Sequence, residues 1–191
     1  MGGGDTMNKI DQAFKAIPRI NFLRFDNRAQ YEVDTPLSIG HGQTNSQPST
    51  VRQMLLWLDP QVGDKVLDVG AGSGWTTALL AHLVGPTGTI YAVEKILELV
   101  KFGEENCKQM GIPDVRFFEA GNAYGLPDFA PYDRILVSAA ATKLPTALLE
   151  QLKIGGRIVI PIKNSILVID KINEDSYETR EYPGFVFVPL V

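Results

Sequence analysis

The fold is decided by the stretch Lys65-Val66-Leu67-Asp68-Val69-Gly70-Ala71-Gly72-Ser73-Gly74, in which an apolar run leads into a turn with three glycines. The residues from 75 to about 84 continue with an apolar helical pattern, so the stretch predicts a strand, a tight turn and a helix. Because glycine has no side chain, the backbone of such a turn can approach a ligand closely. Open parallel sheets bind ligands at this carboxyl end of their strands, and we expect the ligand site here.

Strands and helices alternate on both sides of this turn. Helices are predicted at 48–58, 75–84, 96–110 and 145–152, and an N-terminal helix is predicted to end at Ile17. Strands are predicted at 65–69, 89–94, 115–118, 133–138, 157–160, 165–172 and 182–189. This alternation favours right-handed crossovers and an α/β, Rossmann-like sheet of seven mostly parallel strands with helices on both faces. The last two strands have no helix between them, which predicts one antiparallel strand at the edge.

Length and composition are typical of one globular domain. The chain has 191 residues, of which 45% are hydrophobic and 21% are charged, so it can bury its own core. We interpret residues 1–6 as an added leader and 7–191 as a single domain. Within that domain, residues 7–47 are predicted to form a helix and then a loop that covers the ligand edge of the sheet.

Charge and cysteine content argue against several classes of function. The formal net charge of −4 disfavours general affinity for nucleic acid or for anionic membranes. No apolar run reaches the roughly 18 residues of a membrane span. A single cysteine excludes an internal disulfide framework and a Cys-rich zinc site, and it fits a reducing cytoplasm. We therefore expect a cytoplasmic protein with no nucleic-acid partner and no membrane partner. We also expect a monomer, although neither charge nor cysteine content specifies the oligomeric state.

The spacing of the glycines favours S-adenosylmethionine over NAD as the ligand. A dinucleotide fingerprint has a third glycine at its sixth position, where this chain has Trp75. Asp68 stands two residues before the first glycine, where a carboxylate would repel a pyrophosphate and attract the amino group of a methionine moiety. Glu94 ends the next strand, where it can accept hydrogen bonds from ribose hydroxyls. Two alternatives stay open, namely a capping or solvated carboxylate at Asp68 and a surface charge at Glu94.

Two segments then resemble one enzyme family. Residues 66–74 look like motif I of class I methyltransferases. The segment Pro36-Leu37-Ser38-Ile39-Gly40-His41-Gly42-Gln43-Thr44-Asn45-Ser46-Gln47-Pro48 resembles the signature of protein-L-isoaspartate O-methyltransferases. Residues 130–135, 138–141, 151–157 and 187–190 are similar to the same family. The resemblance implies a class I methyltransferase fold and methyl transfer from S-adenosyl-L-methionine to the free carboxylate of L-isoaspartyl residues in damaged proteins or peptides, which is a step of protein repair.

The resemblance also implies which residues form the site. Ser46 is the catalytic residue, because its hydroxyl would hold the substrate carboxylate; a helix N-cap role for Ser46 stays open beside it. The implied cofactor-binding residues are Thr44, Asp68, Gly70, Ala71, Gly72, Gly74, Glu94, Lys95, Gly121, Asn122 and Ala123. The implied substrate-binding residues are Gln43, Asn45, Ser138, Ala139 and Ala140. No metal is expected, since a carboxylate is already ionised at neutral pH and can attack without further activation.

The chain departs from the family pattern at two positions. The family usually has Gly-Asp-Gly where this chain has Gly121-Asn122-Ala123, so an acceptor oxygen is kept and a charge is lost, which predicts weaker cofactor binding. Asn45 stands where a branched apolar residue is usual, which predicts a changed placement of the carboxylate or a changed substrate. Two other functions therefore stay open: a class I methyltransferase for a small molecule or RNA, and a non-catalytic module that binds S-adenosylmethionine.

Overall fold

The computed structural model describes residues 8–190, so the predicted leader at residues 1–6 lies outside the described residues. The strands are β1 Leu37–Gly40, β2 Gln43–Asn45, β3 Lys65–Val69, β4 Thr89–Glu94, β5 Val115–Glu119, β6 Tyr132–Val137, β7 Leu152–Ile162, β8 Ser165–Lys171 and β9 Tyr177–Pro183. The α-helices are α1 Lys9–Ala16, α2 Pro48–Leu58, α3 Trp75–Val84, α4 Leu97–Gln109 and α5 Thr146–Glu150. Short 3-10 helices lie at Arg19–Phe22, Phe25–Gln30, Gly85–Thr87 and Pro127–Phe129.

Seven strands form one sheet in the order β5-β4-β3-β6-β7-β8-β9. The four pairs from β5 to β7 are parallel, and the pairs β7–β8 and β8–β9 are antiparallel. Only β8 among these seven strands therefore runs against the rest. The predicted α/β sheet, with seven mostly parallel strands and one reversed strand, is confirmed; the reversed strand lies next to the edge strand β9.

The central strand β3 is buried on both faces of the sheet, because successive side chains of a strand point to opposite sides. In β3, Val66 joins the cluster that contains α1, α2 and α3 residues, whereas Leu67 joins the cluster that contains α5 residues. Both side chains are fully buried. This explains why β3 shows a nearly continuous apolar run rather than a strict alternation.

Helix α2 begins at Pro48, whose fixed φ suits the first helical turn. Its N-cap residue is Gln47, which makes no side-chain cap bond, so a capping role for Ser46 is not what the structure shows. Asp34 supplies the missing acceptor: its carboxylate accepts from the backbone N–H of Ser49 at 2.8 Å. That bond and a second one from the Gln47 side chain hold the pKa of Asp34 below its usual value.

The structure differs from the sequence expectation at both ends of the domain. The segment before α2, predicted as a loop, contains the antiparallel hairpin β1–β2. The predicted strand at 182–189 is wrong, since β9 spans Tyr177–Pro183 and residues 184–190 leave the sheet. The apolar side chains that suggested a strand pack elsewhere: Phe185 contacts Trp57 edge to face, and Tyr182 stacks on the same ring. Among residues 8–190, no helix is long and apolar enough to cross a membrane.

Candidate active site

A cavity of about 420 Å³ lies at the carboxyl ends of the central strands. We divide the lining into two groups, named after the ligands expected from the sequence. The cofactor half consists of residues 69–73, 75–76, 93–96 and 120–125, and the acceptor half consists of residues 39, 43–46, 138–139 and 188–190. Pockets of this size at the strand ends of an open α/β sheet are the usual place for a small ligand.

The glycine turn forms the floor of the cofactor half. The backbone N–H groups of Gly70 and Ala71 both donate to the carbonyl of Val93, at 2.8 and 3.2 Å, which ties the turn to β4. Gly72 has a φ of +53°, and a Cβ there would lie 3.1 Å from the Ile39 side chain of the hairpin. Glycine at position 72 therefore permits both a left-handed backbone conformation and the close approach of the Ile39 side chain.

Gly74 lies outside the cavity lining, although the sequence placed it among the cofactor-binding residues. A Cβ at Gly74 would come within 2.8 Å of the carbonyl oxygen of Gly103 in α4. Gly74 thus permits close packing between the start of α3 and α4. It stabilises the turn from outside the cavity.

Glu94 is a buried carboxylate at the end of β4 and lines the cavity. It accepts from the backbone N–H of Gly72 at 2.9 Å and from the N–H groups of Lys95 and Ile96 at 2.7 and 3.0 Å. It is therefore not a surface charge. Since each carboxylate oxygen can accept more than one hydrogen bond, Glu94 can hold the turn and still accept from a ligand hydroxyl.

Asp68 is fully buried and does not line the cavity. It lies on the same face of β3 as Val66, and the Thr77 hydroxyl of α3 donates to its Oδ2 at 2.6 Å. Its Oδ1 has no hydrogen-bond partner among the described residues. Burial raises the pKa of Asp68 to about 7, Glu94 adds to the rise, and the Thr77 bond opposes it. The structure thus places Asp68 beneath the turn, without the direct access to a ligand that the sequence suggested.

Three residues that the sequence predicts to bind the cofactor follow β5 and line the cavity, namely Gly121, Asn122 and Ala123. Gln151 holds the continuation of this loop: its amide nitrogen donates to the carbonyl of Tyr124 at 2.8 Å, and its amide oxygen accepts from the N–H of Leu126 at 2.9 Å. Gln151 is itself buried, so the loop has a fixed anchor below it.

The hairpin β1–β2 brings Gln43, Thr44, Asn45 and Ser46 to the acceptor half. The carbonyl of Ser46 accepts from the guanidinium of Arg19 at 3.0 Å, which fixes the backbone at this position. The Asn45 side chain is buried and bonded to protein groups, namely Arg19 and Ser73. His41 lies exposed at the tip of the hairpin and does not line the cavity.

The opposite wall of the acceptor half is formed by Ser138, Ala139 and the end of the chain. Ala140, predicted to bind substrate, does not line the cavity. Its backbone N–H donates to the carbonyl of Val188 and its carbonyl accepts from the N–H of Leu190, both at 2.8 Å. Residues 188–190 consequently cover Ala140 and take its place on the cavity wall.

Most predicted site residues meet in this one cavity, and three do not. The lining contains Gln43, Thr44, Asn45, Ser46, Gly70, Ala71, Gly72, Glu94, Lys95, Gly121, Asn122, Ala123, Ser138 and Ala139. Asp68, Gly74 and Ala140 lie outside it. The sequence reasoning assigned no site role to Ile39, Val69, Ser73, Thr76, Val93, Ile96, Ala120, Tyr124, Gly125, Val188, Pro189 and Leu190, which also line it. Residues 187–190 resembled the family, and that similarity was the signal that could have found the last three.

The cofactor half of this cavity offers groups that suit a nucleoside ligand. One buried carboxylate, Glu94, stands at a strand end beside the glycine turn, and the open turn leaves room for a ligand backbone. Among residues 8–190, no group of three or more His, Cys, Asp or Glu side chains could hold a metal ion.

Comparison with known proteins agrees with this geometry. A family model described as "Protein-L-isoaspartate(D-aspartate) O-methyltransferase" matches residues 3–191. A protein-L-isoaspartate O-methyltransferase of Aeropyrum pernix is 46% identical, over 97% of this chain and 74% of its own length. One of Methanopyrus kandleri is 42% identical, over 96% of this chain and 84% of its own length.

The fold gives the same result. A solved protein-L-isoaspartate O-methyltransferase superposes with a TM-score of 0.87 at 29% identity, and the match covers 96% of this chain and 61% of that one. The sequence match spans both the glycine turn and the hairpin, so it includes both halves of the cavity. The chain belongs to the protein-L-isoaspartate O-methyltransferase family.

Proposed function

We propose that this chain transfers a methyl group from S-adenosyl-L-methionine to the free carboxylate of L-isoaspartyl residues in damaged proteins and peptides. The observation that carries the proposal is the meeting of the hairpin residues 43–46 with the glycine turn in one cavity. Membership of the family supports the substrate class, because the family is named for it. The product ester then leaves the enzyme as the first intermediate of repair.

The cofactor half supplies the binding groups for the methyl donor. When bound, S-adenosyl-L-methionine supplies an activated methyl group on a positively charged sulfur. We assign Glu94 to the ribose hydroxyls, because it lines the cavity at the end of β4. We assign Asn122 to the adenine amino group, which its amide oxygen can accept from. The backbone of Gly70, Ala71 and Gly72 then lies beside the rest of the donor.

The acceptor half positions the carboxylate. The Ser46 hydroxyl would donate a hydrogen bond to one oxygen of the carboxylate and leave the other oxygen free to accept the methyl group. The donor would supply that methyl group and leave as a neutral thioether. No proton moves, because a carboxylate with a pKa near 4 is already ionised at neutral pH. Alignment is the main contribution of the protein to such a reaction. Ile39 of the hairpin and Val188 and Leu190 across from it add apolar side chains to the cavity lining.

The decisive experiment compares an L-isoaspartyl peptide with the same peptide that contains a normal aspartyl residue. We expect methyl transfer from labelled S-adenosyl-L-methionine to the first peptide and background transfer to the second. Equal methylation of both peptides would contradict the substrate assignment. Binding of S-adenosyl-L-homocysteine with no methylation of either peptide would point to a binding module.

Three further predictions from composition stay predictions: a cytoplasmic location, a monomeric state and the lack of a nucleic-acid partner. The net charge of −4 supports the last of them. Light scattering of the purified chain tests the monomeric state, and a mass near 21.0 kDa is expected.

A further inference from the structure

Three buried polar side chains form a continuous link between the N-terminal segment and the glycine turn. The Nε of Arg19 donates to Oδ1 of Asn45 at 2.7 Å, and Nδ2 of Asn45 donates to Oγ of Ser73 at 3.0 Å. Arg19, Asn45 and Ser73 are each 4% exposed or less. Bonds between buried polar groups are costly to leave unmade, so this link is held in one arrangement.

The chemistry of the link allows one orientation of the Asn45 amide. A guanidinium only donates, so the amide oxygen must face Arg19 and the amide NH₂ must face Ser73. Nη2 of Arg19 also donates to the carbonyls of Asn45 and Ser46, at 3.1 and 3.0 Å. Arg19 therefore holds the backbone of residues 45 and 46 by hydrogen bonds, and the Asn45 side chain connects that backbone to Ser73 in the cofactor half.

Arg19 is itself firmly placed. Nη1 donates to the carbonyl of Val33 at 3.0 Å, Nη2 donates to that of Thr35 at 2.7 Å, and the guanidinium lies 5.6 Å from the centre of the Trp75 ring. Desolvation lowers the pKa of Arg19 to about 10, partly offset by Asp34, so the group stays charged at neutral pH. A charged donor with this many acceptors is a rigid anchor for one end of the link.

We propose that Asn45 is a positioning residue of the methyl transfer: through Arg19 and Ser73, it sets the distance and angle between the Ser46 segment and the cofactor turn. The inference rests on the proposed function, because it concerns the same two halves of the same cavity. Transfer between two bound ligands depends on their alignment, and a displacement of about 1 Å can cost roughly 100-fold in rate. Both polar groups of the Asn45 side chain are bonded to protein, so the side chain acts through Arg19 and Ser73.

Asn106 provides a matched control for a purely structural role. It is also buried, and its Nδ2 also binds Ser73, donating to the backbone carbonyl at 2.9 Å. It lies on α4 and does not line the cavity. A variant of Asn106 therefore removes an equivalent buried amide bond at the same turn residue without cutting the connection to the hairpin.

The test measures kcat with an L-isoaspartyl peptide at saturating S-adenosyl-L-methionine, and Kd for S-adenosyl-L-homocysteine. Asn45→Leu, nearly isosteric, should lower kcat about 10- to 100-fold and change Kd less than about threefold, since it disturbs alignment more than cofactor contacts. Asn45→Asp should stay within about threefold of wild type, because a carboxylate accepts from Arg19 and also from the Ser73 hydroxyl. Asn106→Leu should lower Tm and leave kcat within the same limit.

Ser73→Ala cuts the link at its other end and leaves the Arg19–Asn45 bond intact. We expect a loss of kcat of about tenfold, and no further loss when Ser73→Ala is added to Asn45→Leu, because both changes break one link. Losses that multiply in the double variant, an equal loss in Asn106→Leu, or an Asn45→Asp variant as slow as Asn45→Leu would each overturn the proposal. Ser73→Ala and Asn45→Asp keep the test open if Asn45→Leu fails to fold.

A second measurement separates this inference from the proposed function. We expect S-adenosyl-L-homocysteine to slow hydrogen exchange at residues 44–46 in the wild type and in Asn45→Asp, and to have no such effect in Asn45→Leu or Ser73→Ala. If the wild type methylates no isoaspartyl peptide, the proposed function fails and the exchange data still decide whether the two halves are linked. Equal protection in all four proteins would refute the link whatever the activity.

Discussion

The two halves of the cavity are built in different ways. The cofactor half comes from regular elements: the glycine turn joins β3 to α3, and Glu94 ends β4 while binding the backbone of that turn. The acceptor half comes from a short hairpin and the last residues of the chain, both held by bonds between groups far apart in sequence. Local sequence pattern thus specifies the cofactor half, whereas contacts between residues far apart in sequence form the acceptor half.

The strongest test of this contrast removes the anchor of the acceptor half. Arg19→Met leaves five acceptors without their donor, on Val33, Thr35, Asn45 and Ser46. We expect the free energy of unfolding to fall by about 3–5 kcal/mol, as for other buried charged groups whose partners stay behind. Urea denaturation measures it.

The control for that variant is Arg52→Met, which breaks a partly exposed ion pair with Asp11. Exposed pairs contribute about 0–1 kcal/mol, so little change is expected. If both variants lowered the free energy of unfolding by similar amounts, Arg19 would contribute no more than an exposed ion pair. The proposed contrast between the two halves would then be wrong.

Under the cofactor half, Asp68 should make stability depend on pH. Its pKa is raised to about 7, so the folded chain keeps a proton that the unfolded chain releases near 3.8. The folded state binds more protons between these values, and the free energy of unfolding should fall as pH rises from about 4 to 7, by on the order of 4 kcal/mol. The fall should stop above about pH 7.

Asp68→Asn should abolish this slope, because the amide does not ionise. The carboxyl groups of Asp34, Asp59 and Asp133, whose pKa values are lowered, lose their stabilising effect only at pH values below this window. Denaturation of both proteins at pH 5, 6, 7 and 8 measures the difference, and parallel curves would show that Asp68 is ionised throughout.

In the acceptor half, Ser46→Ala should lower turnover and leave cofactor affinity nearly unchanged. The loss should be about 10- to 1,000-fold, as expected when one preorganised hydrogen bond to a reacting group is removed. Single-turnover methylation of an isoaspartyl peptide measures the rate, and calorimetry with S-adenosyl-L-homocysteine measures the affinity. Ser49→Ala is the control, since Ser49 lies in α2 outside the cavity lining. Equal rates in the two variants would remove Ser46 from the reaction.

The smallest effect is expected at Asn122 in the cofactor half. Asn122→Asp should tighten binding of S-adenosyl-L-homocysteine by up to about tenfold, because a carboxylate accepts a stronger hydrogen bond than an amide. Asn173→Asp, at an exposed turn between β8 and β9, makes the same change of charge away from the cavity and should leave Kd unchanged. Weaker binding in Asn122→Asp would assign the asparagine a different role from contact with the adenine amino group.

The same contrast explains what the sequence could predict. β3 and α3 were predicted with their bounds, because local periodicity and the glycine turn specify them. The burial of Asp68 outside the cavity lining was not predicted, because a pattern does not show on which face of a strand a carboxylate lies. Substrate contact by Asn45 stays a prediction, since Asn45 lines the cavity. Nothing near it in sequence indicated that Arg19, 26 residues earlier, binds its side chain.

The reversed strand β8 determines on which side of the sheet residues 188–190 lie. Two successive hairpin connections restore the original direction, so β9 points the same way as β3 to β7 and ends at the edge of the sheet where the cavity opens. Because the chain reverses direction twice after β7, residues 188–190 lie on the same side of the sheet as the cavity. With one strand fewer, residues 188–190 would lie at the amino ends of the parallel strands, one strand length from the cavity. The parity of the strand count thus decides whether residues 188–190 can line the cavity.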